Sequence, residues 1–386
     1  MQLSIQSIQS ISSGDFLNQL ISCLNQIDLN IEDSNWKRRI IKITVFTSNI
    51  DNNEYSLKMS ILNHLLGQNS DIQAPVSLVS QPPFEDKVMM EAWMMDYQEI
   101  EMTFTFKRSN QISVLQIDNP EYSLLISSQY SEKLDTFKQN ALETFNLLDT
   151  SLAESNFNYN EIVRQWNYIE NITMFDSVSD KNLQNYQTFN DLRSLFYGKS
   201  DFLNGYPSAT GIGIENGGCT IEIIALKEKK GNDIHTVTNS HQVDAHNYST
   251  TVLIGNAIDE INKISTPKFE RGKSILFRED GFLFISGTAS IIGEETVFPD
   301  NVEKQTLTTF QNIDHLISVN NLNQCKIGAI SIPKLTNFRV YLKNESDYPI
   351  VKSLCDKHFG ILGGIYVKAD ICRNNLLVEI EANYHF

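Results

Sequence analysis

Near the end of the chain, Glu379 and Glu381 interrupt an apolar run made by Leu376, Leu377, Val378 and Ile380, and Cys372 lies seven residues before the first acid. Alternate side chains of a β-strand share a face, so Leu377, Glu379 and Glu381 point one way and Leu376, Val378 and Ile380 the other. The pattern fits two situations. A half-exposed strand would turn its apolar residues inward and its acids to water. A strand enclosed on both sides would hold a carboxyl in a water-poor cavity, where burial raises its pKa and lets it keep a proton near neutrality. Such an acid can protonate carbon or oxygen, and general acid–base assistance contributes roughly 10²–10⁴ in rate. Cys372 has the opposite parity to Glu379 on an ideal strand, unless Asn374-Asn375 introduces a bend or bulge.

Other residues with chemical potential lie in the same half. The stretch ISGTAS, 285–290, puts Gly287 at a strand end, where a missing side chain admits close approach, with the hydroxyls of Thr288 and Ser290 beside it. An ordinary turn would have the same composition. Arg271, Arg339, Lys343 and Arg373 are the cations of this region, and Arg339, Tyr341 and Lys343 share one strand face. Singly they read as solvated charges; together they could cradle a small carboxylate, since a guanidinium binds one through two parallel hydrogen bonds. No HxH, HExxH or GxSxG pattern occurs, the glycines of YPSATGIGIEN lack dinucleotide spacing, and there is no GxxxxGK[ST] loop. Metal, serine-triad, nucleotide and flavin chemistry are therefore unsupported by motif.

These residues need a scaffold. The 386 residues are 41% hydrophobic and 20% charged, the composition of a globular protein of two or three domains. A net charge of −16 argues against nucleic acid and anionic membrane as partners, and requires any anion-binding site to gather its cations locally. Five widely spaced cysteines without a CxxC read as reduced thiols in a cytoplasm. The start lacks the basic and apolar regions of a signal peptide, and no run of 18 apolar residues occurs. Residues 123–152 and 282–318 look like two copies of one unit, each a short apolar strand ending in Ile-Ser followed by an amphipathic helix. In the second, Asp300 or Asn301 can cap the helix. The expected architecture is α+β, in two halves that are each a mixed sheet covered by helices on one face. The chain divides into residues 1–200, a structural half, and 201–386, which carries most of the site. Residues 197–211 read as a linker and 252–265 as an inserted helix.

Six segments taken in order resemble the chorismatases: IVRQWNYIENI (162–172), YQTFNDLRSLFYG (186–198), YPSATGIGIE (206–215), HQVDAHNY (241–248), FLFISGTASIIGEETV (282–297) and YVKADICRNNLLVEIEA (366–382). The resemblance implies halves of the Rid/YjgF-like, or chorismate-mutase-like, kind. It implies a small-molecule substrate, chorismate, without a cofactor, and a monomer or a homotrimer. It places the acid/base carboxyl at Glu379, the branch-steering thiol at Cys372 and substrate contacts at Tyr248, Arg271, Gly287, Thr288, Tyr341, Lys343 and Arg373. Glycine at 287 and cysteine at 372 are the residues that resemble the members forming 3-hydroxybenzoate and pyruvate. Hydrolysing members, which yield a dihydroxycyclohexadiene carboxylate, tend to have alanine at the first position, and a third subtype forms 4-hydroxybenzoate. His241 and Lys343 stand where the family often has arginine. A Rid-like enamine/imine deaminase and a non-catalytic carboxylate-binding protein are the readings from other classes.

Overall fold

The computed structural model describes residues 2–30, 36–68, 72–85, 87–98, 102–175, 183–229, 234–253, 265–277, 280–329, 331–360 and 363–386. The first unit runs β1 (Gln2–Gln9), α1 (Phe16–Leu24), β2 (Lys37–Thr47), α2 (Asn52–Gln68), β3 (Val76–Ser80) and β4 (Val88–Tyr97), in the sheet order β1-β4-β2-β3. The second opens with a hairpin, β5 (Thr103–Arg108) and β6 (Ile112–Asp118). It continues as β7 (Tyr122–Tyr130), α3 (Phe137–Glu154), β8 (Ile162–Glu170), α4 (Asn185–Tyr197), β9 (Ser208–Ile214) and β10 (Cys219–Glu228). The third has β11 (Ile234–Val237), β12 (Gly272–Phe277) and β13 (Asp280–Ala289). A small hairpin of β14 (Ile291–Ile292) and β15 (Glu295–Thr296) follows, then α5 (Val302–Ile317), α6 (Val319–Gln324), β16 (Lys334–Leu342), α7 (Tyr348–Phe359), β17 (Ile365–Lys368) and β18 (Val378–His385). The two larger sheets have matching orders, β5-β6-β7-β10-β8-β9 and β11-β12-β13-β18-β16-β17.

The last four strands of each six-stranded sheet repeat the order of the first sheet. In every unit one pair is parallel, β2–β3, β8–β9 or β16–β17, and a helix (α2, α4 or α7) makes the crossover that a parallel pair requires. The expected sheet-and-helix units are therefore present as the two six-stranded sheets, and residues 2–97 add a third, smaller copy. The division expected at 200/201 does not follow the sheets: β9 and β10 pair with β8 and β7, so strands on both sides of that point share one sheet. Residues 197–211 accordingly lead from α4 into β9 within one unit. The inserted helix expected over 252–265 falls largely on residues 254–264, outside the described residues.

Local signals account for the helices. Thr136 caps α3 through the Gln139 amide, with the reciprocal bond from the Gln139 side chain, and Asn301 caps α5 by accepting from Lys304 N at 2.9 Å. On β18, Val378, Ile380 and Ala382 share a core with Phe310 and Ile313 of α5 and Val351 of α7. The opposite face of β18 turns toward the other sheets. There a common core gathers Trp93, Trp166, Phe284 and Tyr341 from all three units, with Trp93 and Trp166 edge to face at 5.8 Å.

Charges are buried at this junction. Lys42 of β2 pairs with Glu222 of β10 at 2.9 Å, Arg164 of β8 with Glu381 of β18 at 2.9 Å, and Arg339 of β16 with Glu91 of β4 at 2.5 Å. Each unit gives one cation and one carboxylate, and each cation is taken by the next unit, so the ring of pairs is cyclic and neutral. The parallel edge strands follow the same order. Ser77 of β3 bonds Ser128 at 2.5 Å, Ala209 N of β9 donates to Ser286 Oγ at 2.8 Å, and Lys368 N of β17 donates to Pro82 O at 2.8 Å. Arg339 and Lys42 hold Glu91 down to about 2 against its burial. Removing one member of a buried pair strands the other. Glu91→Leu is therefore expected to cost about 3–5 kcal/mol in urea unfolding, and adding Arg339→Met should recover much of that loss.

Candidate active site

A cleft lies where β9 and α4 of the second unit meet β13 and β18 of the third. Its lining includes Glu379, Cys372, Gly287, Tyr248, Arg271 and Arg373, together with Tyr186 and Asn190 of α4 and Ala209 and Gly211 of β9. Two residues before each unit's ring carboxylate, on the same face of β4, β10 and β18, stand Met89, Thr220 and Glu379. Only the third unit places an acid at this point.

Glu379 is 5% exposed, which decides between the two readings of the terminal strand in favour of enclosure. Burial pushes its carboxyl up to about 8, Glu381 on the same face adds to the rise, and Arg164 and Arg271 oppose it. Glu381 accepts from Arg164 at 2.9 Å, from Trp166 Nε1 at 2.8 Å and from Thr210 Oγ1 at 2.5 Å, so its charge is fixed beneath the cleft. Thr210 also accepts from Gly287 N at 3.0 Å, tying β9 to β13 beside the acid. A Cβ built on Gly287 would lie 2.0 Å from Glu379 Oε1, so the carboxyl packs directly against the bare backbone.

The parity problem of Cys372 is resolved by a turn. Leu376 N donates to Arg373 O at 3.1 Å, the chain bends over residues 372–375, and Cys372 reaches the same cleft as Glu379. Burial and then the nearby Glu379 raise the thiol to about 12, so it is a neutral S–H that can orient or relay a proton and is no thiolate nucleophile. Iodoacetamide at pH 8 is expected to leave Cys372 unlabelled in the folded protein and to modify it in urea; peptide mass analysis separates the two states.

Tyr248 lies between two guanidinia. Arg271 Nη2 donates to its hydroxyl at 2.6 Å and to Val243 O at 2.7 Å, while Arg373 stands 5.4 Å from its ring centre. Arg373 is held by Glu294 O at 2.8 Å. Among the described residues neither arginine has a carboxylate within ion-pair distance.

The other expected contacts lie elsewhere. Thr288 is buried and donates to Ser286 O at 2.8 Å, with its side chain off the cleft wall. Tyr341 packs in the central core beside Arg339, which is engaged with Glu91 and Tyr168. Lys343, just past the end of β16, donates to Asn374 O at 2.8 Å and lines a separate cleft with Lys368 and Asp370. The shared strand face of 339, 341 and 343 thus passes from the buried ring to a surface groove and forms no single cradle. His241 stacks on His315 at 4.2 Å and does not line the cleft. Among the described residues no cluster of His, Cys, Asp and Glu could hold a metal, and no helix is long and apolar enough to cross a membrane.

The α4 wall was missed from sequence. A signal was present: Gln187, Asn190 and Arg193 recur every three residues, a polar stripe on one side of a helix that also buries Phe189, Leu192 and Phe196.

Comparison with known proteins bears on this arrangement. The family profile "Chorismatase FkbO/Hyg5-like, N-terminal" matches residues 102–225. A 3-hydroxybenzoate synthase of Streptomyces hygroscopicus is 30% identical over 232 residues, covering 58% of this chain and 64% of that protein. A chorismatase of Streptomyces rapamycinicus is 28% identical with the same coverage. The aligned region thus spans less than two thirds of these curated relatives. A chorismatase crystal structure superposes over 100% of this chain and 99% of its own with a TM-score of 0.72 at 21% identity. The chain is similar in sequence to the chorismatases over part of its length and shares their fold throughout. The profile match lies in the second unit, and the cleft joins that unit's edge strand to the third.

Proposed function

We propose that this protein is a chorismatase that converts chorismate to 3-hydroxybenzoate and pyruvate. The observation that carries the reading is the Glu379 carboxyl, enclosed in a cleft with two arginines that have no carboxylate partner among the described residues, and shifted so that it holds its proton near neutrality. In this reading Glu379 gives its proton to the methylene carbon of the enolpyruvyl group, and positive charge develops on the ether carbon. The ring hydroxyl attacks the neighbouring ring carbon that bears the ether, that carbon–oxygen bond breaks with its electrons forming the carbonyl of the departing pyruvate, and the resulting epoxide-like ring opens and aromatises. Glu379 recovers a proton, and the two products together contain every atom of the substrate. Arg271 and Arg373 anchor carboxylates, with Tyr248 held between them. Gly287 and Cys372 support this branch over hydrolysis, as does the name of the S. hygroscopicus relative.

The cyclic arrangement of three units in one chain supports a monomer over a homotrimer, because the ring that three copies would close is already closed. Five widely spaced cysteines without a CxxC are compatible with a cytoplasmic enzyme. Incubation of the purified protein with chorismate, followed by chromatography of aromatic acids and pyruvate determination, tests the reaction. Equal amounts of 3-hydroxybenzoate and pyruvate are expected. Pyruvate with a dihydrodiol or 4-hydroxybenzoate would move the protein to another subtype, and no conversion would refute the activity.

A further inference from the structure

The α4 wall carries a donor that no interaction among the described residues uses. Asn190 is 1% exposed and lines the cleft, and among the described residues its Nδ2 has no hydrogen-bond partner. A buried donor without an acceptor is destabilising and calls for an explanation. The amide orientation follows from chemistry. Arg193, one turn further along α4, places Nη2 2.6 Å from the Asn190 oxygen, and a guanidinium has donors only, so the atom facing it must be Oδ1. The NH2 group is thereby turned away from Arg193.

The charge around it is equally specific. Arg193 is 2% exposed, and among the described residues no carboxylate pairs with it, although the protein carries a net charge of −16. Among the described residues its Nε is unpartnered, as is that of Arg271 on the cleft wall. Buried guanidinia are ordinarily matched by carboxylates, as Arg164 and Arg339 are in the central ring. Here the match is missing on the side of the cleft where Asn190 faces inward.

We propose that Asn190, oriented by Arg193, is a substrate-anchoring residue whose Nδ2–H donates to an oxygen of the anionic ligand held against Glu379. Arg193 acts through Asn190 as a positioning residue and supplies positive potential behind the amide. The role rests on the proposed function for the identity of the ligand, and the substrate class is a compound with carboxylate or hydroxyl oxygens on more than one side.

The test uses chorismate with the full chain. Asn190→Asp keeps an oxygen for Arg193, gains a charged pair that favours folding, and removes the donor. It is expected to raise KM on the order of 10–100-fold with a smaller change in kcat, at unchanged circular dichroism. Asn190→Ala should shift KM in the same direction, which guards against a folding failure of either variant. Arg193→Gln should raise KM, and Arg193→Lys should restore part of the loss. A wild-type protein that turns over chorismate, with KM in Asn190→Asp and Asn190→Ala within twofold of wild type, overturns the assignment. A wild-type protein without turnover refutes the proposed function instead. Calorimetric titration of chorismate into Glu379→Gln and Glu379→Gln/Asn190→Asp then decides the anchor. Binding lost only in the double variant supports it, whereas equal affinity, or no binding to either, sinks it.

Discussion

Glu379→Gln is expected to lower chorismate turnover by about 10²–10⁴-fold or more while raising the protein's stability at alkaline pH. The amide keeps the size and fills the same pocket, but has no acidic proton to give. The wild-type pH profile should show the same group. With its carboxyl at about 8, the acid is charged and inactive above that pH, so kcat/KM falls on the alkaline side and the limb disappears in the variant. The stability effect has a definite sign. The folded pKa lies above the unfolded value, near 4.5, so the native state binds more protons between these limits and stability declines as pH rises through the window. Each pH unit in that window corresponds to about 1.4 kcal/mol for one proton. Glutamine escapes this penalty and is expected to gain roughly 1–3 kcal/mol near pH 8, with the remainder offset by relaxation around the ionised group. Urea unfolding of both proteins at pH 5 and pH 8 measures the difference. Retained turnover in the variant, or equal stability at both pH values, would overturn the role assigned to this carboxyl.

Strand parity made much of the site legible. It put Glu379 and Glu381 on one face, and the structure shows that face turned inward, one acid on the cleft and the other in the ionic ring. The helix cap was readable to within one residue, because a cap acts over three residues, and of Asp300 and Asn301 the structure uses the second. The ring was not readable, because its pairs are remote in sequence: 217 residues separate Arg164 from Glu381 and 248 separate Arg339 from Glu91. The first unit escaped for a related reason. Its β4, VMMEAWMMDY, is buried almost throughout and offers no alternation, and its identity with β10 and β18 resides in which strands it pairs with. Lys343 shows the limit of parity in the other direction. It shares a face with Arg339, yet one lies in the core and the other beyond the strand's end. Asn190 was hidden because a polar stripe on a helix ordinarily faces water, and only the packing of α4 reveals that this one is enclosed.

Gly287→Ala is expected to cut the rate of 3-hydroxybenzoate formation on the order of 10²-fold and to raise the share of chorismate that is hydrolysed, since a misplacement of about 1 Å at a reacting group costs this much. The new methyl would stand 2.0 Å from Glu379 Oε1, 2.9 Å from its Cδ and 3.1 Å from Thr210 Cγ2. Something must move, and the threonine is poorly placed to do so. Its hydroxyl is held by Glu381 at 2.5 Å, Arg164 at 2.8 Å and Gly287 N at 3.0 Å, three contacts that tie β9 to β18, β8 and β13. The carboxyl is the free end, so it swings toward the cleft and meets the enolpyruvyl carbon from a different direction. Proton transfer to carbon survives a change of angle better than an intramolecular attack does, because water can approach the cationic carbon from several sides whereas the ring hydroxyl has one trajectory. The same displacement relieves part of the burial, so the alkaline limb of the pH profile should move to lower pH. Product ratios from chorismate at several pH values read both effects. An alanine variant with the wild-type ratio and the wild-type limb would mean that contact between the carboxyl and the bare backbone has no part in steering the reaction.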